Sequence, residues 1–578
     1  MSIFALRISL LAVLLLTPFL SPAATLSLTF RAVFNSDPLL LDSLRYANSA
    51  SETLSVTRLS YLVSGIALQR EDGAWTELSG QVGWIDAEAR RSVITLGDVP
   101  AAQYRAIRFH VGLDSETNNA DPAKWPPDHP LNPNLNGLHW SWQGGYIFLA
   151  LEGRYRANGA EIKGYAYHLA RDPNRSCISL IAALDLVHGD STVALDFDIA
   201  ALLNAPRPLS FERDGTATHS RDADPVAAAL LSNLPGAFRV RQIVSSAPEI
   251  TRPTEVKPLY LPEHFTPYRF TMNGTFPIPA LPRDNPLLVE RVTLGERIFH
   301  ETALSRDGTL SCASCHTAEA ALSDSRRFSI GVRNQIGARH AMPLQNLAWK
   351  TNYFWDGRAP SLRAQALMPI QDHTEMDETL DRVCEKLATN GQYPPLFQAA
   401  FGSPEITAEK IGLAVENFLL TLTVGNAKFD QAMRGKASLT SQEQQGFELF
   451  MTEYEPRTGQ HGADCFHCHG GPLFSDHAFH NNGLALSSED PGRFRATAAE
   501  GDRGKFATPS LRNIAKRGPY MHDGRFATLE QVIAHYSGPM ERTPTLDPNL
   551  AKHPTEGLGL SADDQAALIA FLKTLSDE

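Results

Sequence analysis

The chain has 578 residues and a formal net charge of −12, a length that suggests two to four domains. The acidic balance argues against nucleic acid or an anionic membrane surface as a partner. Beyond the extreme N-terminus, no apolar run approaches the ~20 residues that a transmembrane helix needs.

Residues 1–24 have the pattern of a cleavable secretory signal: Arg7, an apolar stretch from Leu10 to Leu20, then the small-residue segment Ser21-Pro22-Ala23. Residues 25–247 contain short alternating segments at 26–34, 53–66, 92–96, 106–111, 146–151 and 192–197. Turn pairs such as Asp72-Gly73 and Asn158-Gly159 fall between them. This pattern predicts an antiparallel β-sandwich. Residues 248–284 carry eight prolines and are expected to form an extended surface linker. From residue 285 the periodicity becomes helical. Thr407 should cap a helix bearing Ile411, Val415, Leu419 and Leu422, and Ser561 should cap a closing helix with Leu568, Phe571, Leu572 and Leu575.

Two Cys-x-x-Cys-His motifs lie in this helical half: Cys312, Cys315 and His316, then Cys465, Cys468 and His469. Two thiols at this spacing can form thioethers to the vinyl groups of a haem while the adjacent imidazole ligates its iron. A zinc site would leave the following histidine unexplained in both motifs. Two covalent c-type haems are therefore expected, and with the leader they predict export to a periplasm. Cys177 and Cys384 remain; they lie far apart in sequence and are expected as two buried thiols rather than a bridge.

The helical half is also duplicated. The stretch from Asn346 to Leu362 aligns without a gap to that from Asn513 to Leu529, matching Asn, Ala, Tyr, Asp-Gly-Arg and Leu. The reading is therefore two mainly α-helical cytochrome domains, 285–436 and 437–578. In the same register Pro369 and Tyr536 are equivalent, each thirteen residues after the Asp of Asp-Gly-Arg. Proline offers no ligand, so the first iron can stay open, whereas the Tyr536 phenolate can bind the second. His535, Met521 and Met540 are rival ligands. Methionine would raise the iron's potential, and an anionic oxygen would stabilise its oxidised form.

Residues 285–578 resemble the bacterial di-haem cytochrome c peroxidase and MauG superfamily. The resemblance rests on the motif from Leu304 to His316, Phe354-Trp355-Asp356-Gly357-Arg358, Thr508-Pro509-Ser510-Leu511-Arg512-Asn513 and Tyr520-Met521-His522-Asp523-Gly524. It implies that Trp355 lies between the haems and that Gln365, Pro369 and Glu375 form the distal pocket of a peroxidatic first haem. Glu375 would shuttle protons and Gln365 would position hydrogen peroxide. Segment 323–337 lacks the distal histidine that many such peroxidases carry, so the first haem is expected to be open. Tyr536 at the second points to the MauG branch. His340 stands where the resemblance places an Asn ligand of an inter-haem calcium ion. This departure weighs against calcium, with carbonyls near Ala507 and Pro509 left as other oxygen donors.

The sandwich resembles the MbnP-like periplasmic copper-binding family, on Leu41–Tyr46, on His139-Trp140-Ser141-Trp142-Gln143-Gly144-Gly145-Tyr146 and on Tyr167-His168-Leu169. The resemblance implies a tryptophan that a MauG-like partner oxidises and a copper ion bound beside it. His139 and His168 are the candidate copper ligands, Trp140 and Trp142 the candidate oxidised residues. On a regular strand both tryptophans would face away from His139.

The leading expectation is a periplasmic di-haem oxidase that uses hydrogen peroxide to oxidise a protein tryptophan, with its own sandwich as the candidate substrate. The rivals are a peroxidase drawing electrons from a small cytochrome or cupredoxin, and a copper-binding protein whose haems only transfer electrons.

Overall fold

The computed structural model describes residues 23–140, 144–157, 159–246, 259–455, 459–485 and 489–577. Most of the expected signal, Trp142, Asn158 and the start of the proline-rich stretch lie outside the described residues.

Two sheets form the N-terminal part. One carries Phe238–Ser246, Asp190–Asp198 and Ala23–Phe34, with Val93–Pro100 and Asp37–Pro38 also on Ala23–Phe34. The other is centred on Thr53–Arg70, whose first half pairs with Ile147–Arg156 and whose second half pairs with Gln103–Val111. Antiparallel pairing dominates, with two departures from the expected pattern. Ala23–Phe34 runs parallel to Asp190–Asp198, and Lys163–Ala170 runs parallel to Ala217–Thr218. The core between the sheets includes Phe30, Tyr61, Phe109, Phe197 and Phe238. Phe197 and Phe238 stack at 4.3 Å, and the edges of neighbouring rings close around them. Cys177 differs from expectation. It sits at an outward position of Ser176–Asp185 and is exposed, and Cys384 is half-buried.

One face of the second sheet explains how the halves meet. Along Lys163–Ala170, Tyr165, Tyr167 and Leu169 enter the sandwich core, so Gly164, Ala166 and His168 point outward. Opposite them, Glu152 and Arg154 also point outward, yet they are 6% and 4% exposed. The haem half covers them. Arg154 donates to the Leu546 carbonyl at 2.7 Å, and a side chain at Gly164 would collide with the backbone of Pro548. Ile147–Arg156 is consequently buried on both faces, which hides the alternation a half-exposed strand would show.

The described part of the proline-rich stretch is tied down rather than free. Phe276 is fully buried edge-on to Trp349, whose indole N–H donates to the Pro277 carbonyl at 2.7 Å. The buried Arg291 guanidinium donates to the carbonyls of Leu259 and Tyr260. A chain that can satisfy these donors with its own carbonyls has a fixed path.

The two helical units repeat one design. Val289–Phe299 crosses Ala408–Leu420 in the first, and Ser441–Met451 crosses Ala562–Lys573 in the second. Thr407 and Ser561 cap their helices by accepting from the backbone N–H of Lys410 and Asp564. Ala408–Leu420 is buried continuously from Lys410 onward, more than the single apolar stripe expected, and Leu422 lies beyond its end. Asn346 and Asn513 both adopt left-handed backbone, at φ 57° and 58°, and each side-chain oxygen accepts from a backbone N–H of its unit's closing segment, Val424 or Asp577. Gly295 and Gly446 occupy the two crossings, where a methyl group would strike the carbonyls of Ala414 and Ala567. Gly446→Ala should therefore destabilise the second unit by about 1–3 kcal/mol. Chemical denaturation followed by haem absorbance measures this, and an unchanged midpoint would contradict the close crossing.

Candidate functional site

His316 sits at the end of the short turn Cys312–Ser314, with its Nδ1 3.0 Å from the Leu322 carbonyl. His469 repeats this, with Nδ1 3.1 Å from the Phe474 carbonyl. A carbonyl can only accept, so in both rings Nδ1 carries the proton and Nε2 keeps its lone pair for a metal. Cys312, Cys315, Cys465 and Cys468 are unpaired thiols. Two thiols and an oriented imidazole per unit fit a covalently held haem in each.

Around the first motif, Leu362–Gln371 contains Pro369, which lacks an N–H and leaves the Gln365 carbonyl without its helical donor. Glu375 follows in a turn closed by its N–H to the Asp372 carbonyl at 3.0 Å. Its own carbonyl accepts from Val332 at 2.8 Å, fastening segment 323–337 to this turn, and the absence of a side chain at Gly331 permits the approach. Burial, then the Asp372 charge, pushes the Glu375 carboxyl up to about 7, with Arg358 opposing. Glu375 also lies close enough to Cys312 and Cys315 to contribute to their raised pKa values, after the larger effect of burial.

Trp355 is buried between the units. Its indole donates to the His340 carbonyl at 2.8 Å, and its carbonyl accepts from Ala507 of the second unit at 2.8 Å. The His340 N–H donates to the His522 carbonyl, also in the second unit. The His340 ring is occupied by Ser323 Oγ at 3.2 Å and the Arg327 carbonyl at 3.3 Å. Asp356, fully buried, pairs with Arg358 at 3.0 Å and with Arg339, which reaches Asp490 of the second unit.

Tyr536 occupies in Leu529–Ser537 the position that Pro369 holds in Leu362–Gln371. Its phenol oxygen accepts from Asn482 Nδ2 at 3.1 Å. Burial, chiefly, raises its pKa, and Cys465 and Cys468 are among its charged neighbours. The rival His535 is engaged by the Asn482 carbonyl at 3.0 Å, and the Met521 sulfur lies 3.6 Å from the Asn482 amide.

The N-terminal candidates are arranged differently from expectation. His139 and Tyr146 face each other across a bridge rather than along one strand: Trp140 N–H donates to the Gly145 carbonyl at 3.0 Å, and Gly144 N–H donates to the Trp140 carbonyl at 2.9 Å. Gly144 and Gly145 have φ of 74° and 87°, which permits this closure. His139 packs edge-on to Tyr146 at 4.8 Å, and burial lowers its pKa to about 4. It is not brought into a shared ligand set with His168. Trp140 is 7% exposed, with its ring 5.3 Å from His219 and 6.1 Å from His168. His219 in turn lies 5.9 Å from Phe466 and 5.3 Å from His467, the two residues between the second pair of haem cysteines. His139, Trp140, His168 and His467 line one cavity of about 90 Å³ between the sandwich and the second haem loop.

His219 and His467 escaped the sequence reading. His467 was visible only as a spacer inside Cys-x-x-Cys-His, and His219 carried no motif at all.

Two oriented imidazoles, each beside its own thiol pair, in duplicated helical units define a di-haem c-type cytochrome. The profile described as di-haem cytochrome c peroxidase matches residues 289–438, and the MbnP profile matches residues 23–220. The methylamine utilization protein MauG of Methylorubrum extorquens is 39% identical over 300 residues, covering 51% of this chain and 81% of that protein. Cytochrome c551 peroxidase of Nitrosomonas europaea is 33% identical over 307 residues, covering 52% and 84%. A solved MauG-like protein associated with microbial copper homeostasis shares 33% identity at a TM-score of 0.48, covering 54% of this chain and 96% of that one. The chain belongs to the di-haem cytochrome c peroxidase and MauG family, with an MbnP domain at its N-terminus. It is a di-haem oxidoreductase carrying two c-type haems.

Proposed function

We propose that the protein is a periplasmic enzyme that uses hydrogen peroxide to oxidise Trp140 of its own MbnP domain, as a step in maturing a copper site there. The supporting observation is the placement of Trp140, buried against His168 and His219 and one ring removed from the loop that carries the second haem. Bound haems supply the redox chemistry: each peroxide accepts two electrons and two protons to give two waters. The chain's residues supply the rest. Glu375, placed by its turn and with a carboxyl near neutrality, takes the proton of the incoming peroxide and returns it to the departing oxygen. Gln365 would orient peroxide, and Pro369, which has no ligating atom, would leave a haem held by His316 open on that side. Trp355, hydrogen-bonded into both units, lies on the route between them. Tyr536, at the position equivalent to Pro369, would ligate the second haem iron through its phenol oxygen and favour its oxidised form. Two electrons leave Trp140, a water adds to the oxidised ring and two protons are released, so its side chain never needs to enter the peroxide pocket.

Peroxide treatment of the purified holoprotein followed by peptide mapping tests this. Added oxygen is expected on the Trp140 peptide and should disappear in Trp140→Phe while the other tryptophans stay unchanged. Rapid peroxide turnover only with a reduced cytochrome or cupredoxin, with every tryptophan intact, would replace this reading with that of a cytochrome c peroxidase.

A further inference from the structure

The duplicated units place an aspartate at the same point of each haem loop and give it different company. Asp324 lies two residues after Leu322, whose carbonyl accepts from His316 Nδ1. Asp476 lies two residues after Phe474, whose carbonyl accepts from His469 Nδ1. In the first unit a guanidinium closes on the aspartate. Arg326 donates to both Asp324 oxygens, at 2.9 and 2.7 Å, and reaches the Ser314 carbonyl, between the first pair of cysteines, at 3.3 Å. That pair is neutral.

In the second unit the partner is an imidazole held between two acids. His480, on the short strand Phe479–His480, stands four residues after Asp476, where the first unit has Phe328. Its Nε2 lies 2.7 Å from Asp476 and its Nδ1 2.6 Å from Asp547. An ionised carboxylate can only accept, so both ring nitrogens carry protons and the ring is an imidazolium. Two carboxylates and one imidazolium leave one net negative charge. The nearby Glu152 does not add to it, because Arg58 is paired with that carboxylate. The group is fastened to the point where the second haem attaches. Asp476 N–H donates to the Cys468 carbonyl at 2.9 Å. One Asp476 oxygen and one His480 ring nitrogen lie within 4.8 Å of the Cys468 sulfur.

We propose that Asp476, His480 and Asp547 form a fixed anionic group at the rim of the second haem, biasing oxidation toward that haem and away from the neutral rim of the first. A negative charge stabilises an electron-poor centre beside it. An electron therefore passes more readily from the second haem to the first, leaving the second oxidised and the first reduced by one electron each. Peroxide is the oxidant, as in the proposed function. The three side chains act through the haem's potential and do so independently of Tyr536. The inference deepens the proposed function, on which the use of this charge beside Trp140 rests; the bias itself needs only the two haems.

Spectroelectrochemical titration of the full-length holoprotein reads both haems together. Asp547→Asn keeps the size of the side chain and an oxygen to cap Asn549, and removes one charge. Working at about pH 6 keeps the imidazole, still facing Asp476, protonated. The second haem should become easier to reduce, its reduction equilibrium shifting about tenfold, the effect of one charge across about 10 Å of protein. Tenfold corresponds to about 59 mV for one electron. The first haem should not move. Asp476→Asn should act likewise, and serves if Asp547→Asn fails to load its second haem. Arg326→Gln, which leaves Asp324 unopposed, should make the first haem harder to reduce and leave the second unchanged. Loosened packing does not give opposite shifts in separate haems. A second haem unmoved in an aspartate variant that retains both haems overturns the proposal, as does a shift of both haems together. The Trp140 peptide is mapped separately. The expected shifts without oxidation of Trp140 sink the proposed function alone, and oxidised Trp140 with unmoved potentials sinks the anionic group alone.

Discussion

Glu375→Gln is expected to slow the reaction with hydrogen peroxide by about 10²–10⁴-fold, the usual contribution of a positioned acid–base group. The amide keeps the size of the side chain but cannot accept the peroxide proton. The pH profile carries the sharper information. Burial and the neighbouring Asp372 charge place the carboxyl at about 7. The first step needs the ionised form, so the wild-type rate should rise as pH increases through 7 and level off above it. In Glu375→Gln that limb should vanish, leaving a slow, flat profile. A variant that is slow yet keeps the same pH dependence would assign the titration to another group. Stopped-flow spectra of the haem bands at several pH values distinguish the two.

The second large effect is expected from Tyr536→Met. An anionic oxygen ligand stabilises oxidised iron, whereas methionine raises the potential. Axial-ligand identity spans roughly 0.8 V among haem proteins, so an upward shift on the order of 0.1 V or more is expected for the second haem in a spectroelectrochemical titration. The variant should lose oxidation of Trp140 and gain peroxide turnover with a reduced cytochrome. Asn482, which donates to the phenol oxygen, remains in place in this variant. A potential that does not move would remove Tyr536 from the iron and return attention to His535 and Met521.

What the sequence made legible depended on how locally each feature is encoded. Covalent haem attachment requires five contiguous residues, so both motifs could be read directly. The duplication was equally plain because its register carries no gap, and the paired left-handed Asn346 and Asn513 show that the match extends to backbone geometry. The sandwich was readable from alternation, except where the haem half buries both faces of Ile147–Arg156. The stretch around His139 departs from a regular strand because Gly144 and Gly145 take left-handed backbone, which alternation of residue types does not reveal. The histidine cluster lay beyond reach for a different reason. His219 and His467 meet only because one folded domain seats on another, and no local pattern encodes that docking.

Gly164 shows how tight that seating is. The backbone of Lys163–Ala170 meets the backbone of Pro548–Ala551 with no side chain between them. An outside protein approaching the second haem loop would have to displace a tenant of the same chain, whose effective concentration is of millimolar order and does not fall on dilution. On the proposed function, the sandwich is then both the reactant delivered to the oxidant and the barrier that denies the same place to others.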